Sequence, residues 1–265
     1  MTSRTFPVLC DLDGVVWLAH QPIAGSSEAV AQLRDRGHRV LFVTNNSFST
    51  LAEHYEALAR VGIDAEGEVI TSSMAAATVV QPGERVMVVG GAGIIEALQR
   101  RGAQTVTDRV DTDHVDVVMV GLHRELSYDG LARATRALAS GARLVGTNDD
   151  ATFPTPSGAI PGGGAILAAL QTASGLTPQI AGKPHSPMVR AVRQHLGVRD
   201  GAEPPPWWAS MVMVGDRPST DGRFAQRLGC RFALVRTGVT APGETCEIPP
   251  ALDAADLAAV AEWLG

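Results

Sequence analysis

Between Val8 and Val43 the sequence contains a complete strand, helix and strand, and such a unit commits a chain to a parallel sheet. The apolar run Val8-Leu9-Cys10 breaks off in Asp11-Leu12-Asp13-Gly14 and reads as a buried strand. Gly25-Ser26-Ser27 offers a helix N-cap, Val30, Leu33 and Arg34 follow at helical spacing, and Gly37 stops the run. Arg39-Val40-Leu41-Phe42-Val43 is a second buried strand, reached by a right-handed crossover. In open α/β sheets ligands bind beyond the carboxyl ends of the strands, so Asp11 and Asp13 sit where chemistry is expected. A buried carboxylate is costly without a partner, and two so close repel each other. A cation relieves both, although a lone Asp-x-Asp can also do no more than cap the next turn.

The 265 residues suffice for one large or two modest domains, and 45% apolar content supports a packed core. With a net charge of -6 and no basic cluster to follow a phosphate backbone, nucleic acid is not an expected partner. No apolar stretch is long enough to span a bilayer, and Met1-Thr2-Ser3-Arg4 lacks a signal-peptide pattern, so no membrane partner and a cytoplasmic location are expected. Cys10, Cys230 and Cys246 have no metal-ligand spacing, and the first two, in or beside apolar runs, read as inert core thiols.

The strand Arg39–Val43 is followed by Thr44-Asn45-Asn46-Ser47, and Thr50-Leu51-Ala52-Glu53 reads as a capping box for a helix that Gly62 closes. From about Pro82 the alternation restarts, with strands over 85–90, 115–121 and 143–147 and helices over 94–101 and 128–139. This reads as a second α/β domain, residues 81–178, inserted into a core made of 1–80 and 179–265. Val89-Gly90-Gly91-Ala92-Gly93-Ile94 resembles a dinucleotide turn, but its third glycine is missing and no acidic residue closes the next strand. Thr147-Asn148-Asp149-Asp150 and Gly162-Gly163-Gly164 frame a polar loop ahead of a helix over 166–173. Gln179-Ile180-Ala181-Gly182-Lys183 reads as a strand ending in lysine, and Met211-Val212-Met213-Val214-Gly215-Asp216 repeats the opening theme, with Asp221 behind it. The loop from Asp200 through Pro204 to Trp208 is expected to fold its tryptophans back onto the protein.

Four strand ends of one parallel sheet are thus expected to present Asp11 with Asp13, Thr44, Lys183, and Asp216 with Asp221. Together they supply a nucleophile, a carboxylate for proton transfer, a hydroxyl and an ammonium for phosphate oxygens, and acidic ligands for a hard cation. The order and spacing of Asp11-Leu12-Asp13-Gly14, Thr44-Asn45-Asn46, Gly182-Lys183-Pro184 and Gly215-Asp216-Arg217-Pro218-Ser219-Thr220-Asp221 resemble the haloacid dehalogenase superfamily of phosphohydrolases. The insertion between the second and third motifs resembles the NagD-like and p-nitrophenyl phosphatase branch with a C2-type cap. The resemblance implies a Rossmann-like, doubly wound α/β core with an α/β cap that selects the substrate. It implies Asp11 as the nucleophile that forms an aspartyl-phosphate, and Asp13 as the acid and base. It further implies Mg²⁺ held by Asp11, the Asp13 carbonyl and Asp216; phosphate held by Thr44, the Asn45 amide and Lys183; and Asp221 one layer out.

The implied reaction is Mg²⁺-dependent hydrolysis of a small phosphorylated metabolite of sugar, glycerol, glycolate or nucleoside monophosphate type, with p-nitrophenyl phosphate as a generic substrate. Asn148, Asp149 and Asp150 are expected to read the part of the substrate beyond its phosphate, and the cap offers a surface for a homodimer. Ser219, His123 and Asp149 depart from the branch pattern, which leaves the metabolite open. A phosphoacceptor module of receiver type, or a phosphotransferase, would use similar parts. A receiver needs neither Asp13 nor an inserted domain.

Overall fold

The computed structural model describes residues 5–18, 21–109, 114–153, 155, 158–199 and 201–265; residues 1–4 and Asp200 lie outside this set. The chain packs as two compact units, Met1–Thr44 with Ala52–Ile70 and Val192–Gly265, and Asn45–Leu51 with Thr71–Ala191. Residues 45–51, 71–80 and 179–191, grouped by sequence with the flanking core, therefore belong to the second unit.

The first unit is built on a six-stranded sheet in the order Leu252–Ala254, Arg231–Val235, Val212–Gly215, Val8–Cys10, Val40–Thr44, Val69–Thr71. Val8–Cys10 lies at its centre and pairs in parallel on both sides, with Val8 opposite Val212 and Val40. Its three residues are fully buried, as are the apolar residues of both neighbours, which is why these strands read as unbroken apolar runs rather than as alternating ones. The chain leaves the central strand toward Val40–Thr44 on one side and returns to Val212–Gly215 on the other. A crevice beyond the carboxyl ends is expected at such a switch of direction.

The second unit has its own five-stranded parallel sheet, ordered Gln179–Ile180, Arg143–Gly146, Val117–Val120, Arg85–Val89, Gln104–Thr107. Met87, Val89, Val118, Val120 and Leu144 pack with Ala134 and Leu138 of the helix Tyr128–Ala139 and with Ile166, Leu167 and Leu170 of the helix Gly163–Ser174. One expectation is corrected here. The strand before Lys183 joins this sheet and not the first: Gln179–Ile180 pairs with Arg143–Gly146, and Ala181 N–H to Gly146 O (2.9 Å) and Gly182 N–H to Thr147 O (2.7 Å) prolong the pairing. Three of the four motifs, not all four, close strands of the central sheet.

Candidate active site

Asp11, Asp216 and Asp221 each place a carboxylate oxygen within 4.8 Å of the others. Two of them follow from the sheet alone. Asp11 comes directly after Val8–Cys10 and its N–H bonds Val214 O at 2.9 Å, while Asp216 comes directly after the neighbouring strand Val212–Gly215. Adjacent strands run about 4.8 Å apart, so residues just past two level ends meet. Asp221 is brought back by a π-type helical turn, Pro218–Gly222, in which Asp221 N–H reaches Arg217 O (2.8 Å) and Arg217 N–H reaches Asp221 Oδ2 (3.2 Å). Such wide turns recur at functional sites because the extra residue redirects a side chain.

Asp216 is closely held. Val239 N–H donates to its Oδ2 (2.6 Å) and the Thr240 hydroxyl to its main-chain carbonyl (2.5 Å). Gly14 and Gly238 approach the same carboxylate so closely that a Cβ on either would run into it, and Gly14 is also in the left-handed region at φ +84°. The Thr237 hydroxyl ties the Gly14 carbonyl down at 2.5 Å. Thr237, Gly238, Val239 and Thr240 thus pack around the candidate site, and sequence reasoning missed them. Their contributions are main-chain N–H groups, hydroxyls and the absence of a Cβ, none of which forms a motif.

Three carboxylates this close repel by at least about 3 kcal/mol per pair even at an effective dielectric of about 20. Asp216 and Asp221 are 4% and 0% exposed, so water does little to relieve them. Oxygen-only donors with carboxylate charge suit a hard divalent cation such as Mg²⁺, and the residues present fit one. Asp13 lies near this triad in the chain but not in it. The strand ends at Cys10, and residues 12–17 wind around the Leu12 carbonyl, which accepts from Val16 N–H (2.9 Å) and Trp17 N–H (3.2 Å). The placement of Asp13 therefore comes from a turn and not from the pleat of a strand. Thr44 is the last residue of Val40–Thr44 and is buried.

In the second unit the other motif residues form a network around Asn45. Lys183 N–H donates to Asn45 Oδ1 (2.7 Å), and Asn45 Nδ2 donates to Lys183 O (3.0 Å) and to Asp150 Oδ2 (2.8 Å). Asn148 Nδ2 donates to the same Asp150 oxygen (2.9 Å) and to Asn45 O (3.2 Å), which also accepts from the Ser72 hydroxyl (2.7 Å). Lys183 itself is 1% exposed. Asn148 Oδ1 is buried without a hydrogen-bond partner among the described residues and abuts Gly163, the first residue of the helix Gly163–Ser174. Asp149 points elsewhere. Its Oδ2 lies 3.1 Å from His185 Nε2, and that hydrogen bond holds its carboxyl below the usual carboxylate range.

Other sequence features lie apart from these residues. His123 is half-buried with Nε2 3.3 Å from Asp108, and Ser219 is exposed in the π-type turn. Gly91 and Gly93 of the glycine-rich turn leave no room for a Cβ beside the backbones of Phe48 and Ser49, so close packing accounts for them. Trp208 is buried and its indole N–H donates to Leu228 O at 2.6 Å.

The sequence model of the family described as haloacid dehalogenase-like hydrolase matches residues 8–104, and that of a HAD-hydrolase-like family matches residues 180–260. The acid sugar phosphatase of Staphylococcus aureus (strain USA300) is 34% identical over 255 residues, 94% of either chain. The solved p-nitrophenyl phosphatase from Archaeoglobus fulgidus superposes with a TM-score of 0.86 at 28% identity, over 98% of this chain and 99% of that one. A glycerol phosphate phosphatase from Mycobacterium tuberculosis, solved in complex with magnesium, gives 0.82 at 32% identity, over 97% of this chain and 77% of that one.

Proposed function

Because the chain belongs to the haloacid dehalogenase-like hydrolases and is a phosphatase of that family, we propose that it hydrolyses small phosphomonoesters with Mg²⁺ through an aspartyl-phosphate on Asp11. The convergence of Asp11, Asp216 and Asp221 within 4.8 Å is the observation that carries this proposal. The substrate class is small metabolites of sugar, glycerol, glycolate or nucleoside monophosphate type, supported by relatives named for sugar phosphate, glycerol phosphate and p-nitrophenyl phosphate. The part of the chain expected at 81–178 would choose among them.

Asp11, Asp216 and the Asp13 carbonyl would hold the cation, with Asp221 supporting the set. When bound, Mg²⁺ offsets the charge of carboxylate and phosphate so that two anions can meet. Asp11 attacks phosphorus and its carboxylate takes the phosphoryl group as the ester oxygen leaves. Asp13 gives that oxygen its proton, then removes one from the water that attacks the acyl phosphate, freeing Asp11 and inorganic phosphate. Thr44, the Asn45 N–H and Lys183 hold the phosphate oxygens through both steps.

The test is phosphate release from a panel of phosphorylated metabolites with Mg²⁺, with excess chelator, and with Asp11→Asn. Chelator should abolish release, and Asp11→Asn should lower turnover at least about 10⁴-fold, roughly 5 kcal/mol of barrier. Asp13→Asn should retain some acyl-phosphate formation from an aryl phosphate while losing alkyl phosphates. Undiminished release in chelator would refute the mechanism, and a phosphoprotein that accumulates without turnover would point to a receiver-type acceptor instead.

A further inference from the structure

We infer that Asp150 is a positioning residue of the phosphate site, acting through the Asn45 side chain on Lys183, rather than a reader of the substrate's leaving group. This rests on the proposed roles of Asn45 and Lys183 as phosphate-binding residues.

Asn45 carries one acceptor oxygen and two amide hydrogens. Its oxygen takes the Lys183 N–H and one hydrogen meets the Lys183 carbonyl, so the side chain clasps both polar groups of the Lys183 main chain. The other hydrogen goes to Asp150 Oδ2. That bond fixes which way the amide faces, because a flipped Asn45 would set its oxygen against the carboxylate and against the Lys183 carbonyl. Asn148 secures the arrangement from behind, with its amide nitrogen shared between Asp150 Oδ2 and the Asn45 carbonyl.

The carboxylate oxygen of Asp150 thus receives two amide donors from residues 105 and 2 positions away in the chain. Charge-assisted bonds of this kind are about twice as strong as neutral ones and direct their donors more strictly. Both donors of Asn148 are likewise engaged within the unit. Glycine serves the same arrangement at Gly182, where a Cβ would come 2.5 Å from Asn45 Oδ1. A residue whose bonds go to a phosphate-binding turn should affect every phosphomonoester alike, whereas one that reads the leaving group should affect only some.

The experiment compares Asp150→Ala, Asp150→Asn, Asn45→Ala, Lys183→Ala and the double Asn45→Ala/Asp150→Ala variant, with thermal unfolding measured on each preparation. The readouts are kcat/KM for p-nitrophenyl phosphate, kcat/KM for the best phosphorylated metabolite, and inhibition by inorganic phosphate. Asp150→Ala is expected to lower kcat/KM about 10- to 100-fold, by one factor on both substrates, and to weaken phosphate inhibition. Asp150→Asn keeps one acceptor oxygen and should show the same pattern at smaller size, which serves if the alanine variant does not fold. The double variant should be no worse than Asn45→Ala alone, because the two side chains act as one device.

A loss confined to the metabolite would overturn the inference, as would additive losses in the double variant. So would unchanged kinetics and phosphate inhibition in a folded Asp150→Ala enzyme whose unfolding temperature alone has fallen. Full activity and phosphate inhibition in Asn45→Ala, which keeps its main-chain N–H, would overturn this inference alone, whereas full activity and phosphate inhibition in Lys183→Ala would overturn the phosphate-site assignment on which it rests. A defective Asn45→Ala beside a substrate-selective Asp150→Ala would remove the inference alone.

Discussion

Asp216 has little freedom at the site, with a backbone N–H on its carboxylate and glycine on two sides. Gly238→Ala should therefore push the carboxylate out of the triad. A kcat lowered at least about 10-fold, with half-saturation at higher Mg²⁺, is the expected result of a magnesium titration of activity. A second prediction concerns Cys230, whose thiol is pushed up to about 12 by burial. Little of it is then thiolate at pH 8, so mass spectrometry after alkylation should find Cys230 largely unmodified in the native protein and modified once denatured. Acidic residues at strand ends are conspicuous in a sequence because burying their charge needs a reason, and Asp11 and Asp216 were legible on that ground. Val239 and Gly238 were not, since an N–H and a missing Cβ leave no trace in residue type.

Tyr128–Ala139 shows what makes a helix legible. Ser127 caps it by accepting from Gly130 N–H, Asp129 stands in the first turn and Arg136 in the last, and Ala134 and Leu138 are buried four apart. Its observed bounds equal those read from the sequence. Ser127→Ala should cost about 1 kcal/mol in stability and Ser127→Asp about nothing, as urea unfolding would report. By contrast, Gln104–Thr107 is an edge strand with three polar residues of four, and Val69–Thr71 has only three residues, too few for a period to emerge. The helix Gly163–Ser174 starts three residues earlier than Ile166, within glycines that sequence alone assigns to a loop. Their role is steric, because a Cβ on Gly163 would come 2.6 Å from Asn148 Oδ1 and one on Gly164 would strike the Asp149 backbone.

At the scale of the molecule, the parallel α/β architecture and an inserted second domain were both legible, because the alternation of strand and helix stops and restarts near Pro82. The borders were not. The chain crosses between its units at 44/45, 51/52, 70/71 and 191/192, and no shift in composition marks any of these points. Seven residues, Asn45–Leu51, leave the first unit and return to it, and Gly93 N–H bonds Phe48 O at 3.0 Å while Leu51 N–H bonds Glu96 at 2.8 Å. A hybrid enzyme that grafts only a relative's equivalent of 81–178 should then yield little soluble protein. One that also carries the donor's 45–51, 71–80 and 179–191 should express and melt near the parental temperature. The insertion is in this way tied to a loop that precedes it by some thirty positions, so in such hybrids the two are expected to behave as one module that is exchanged whole or not at all.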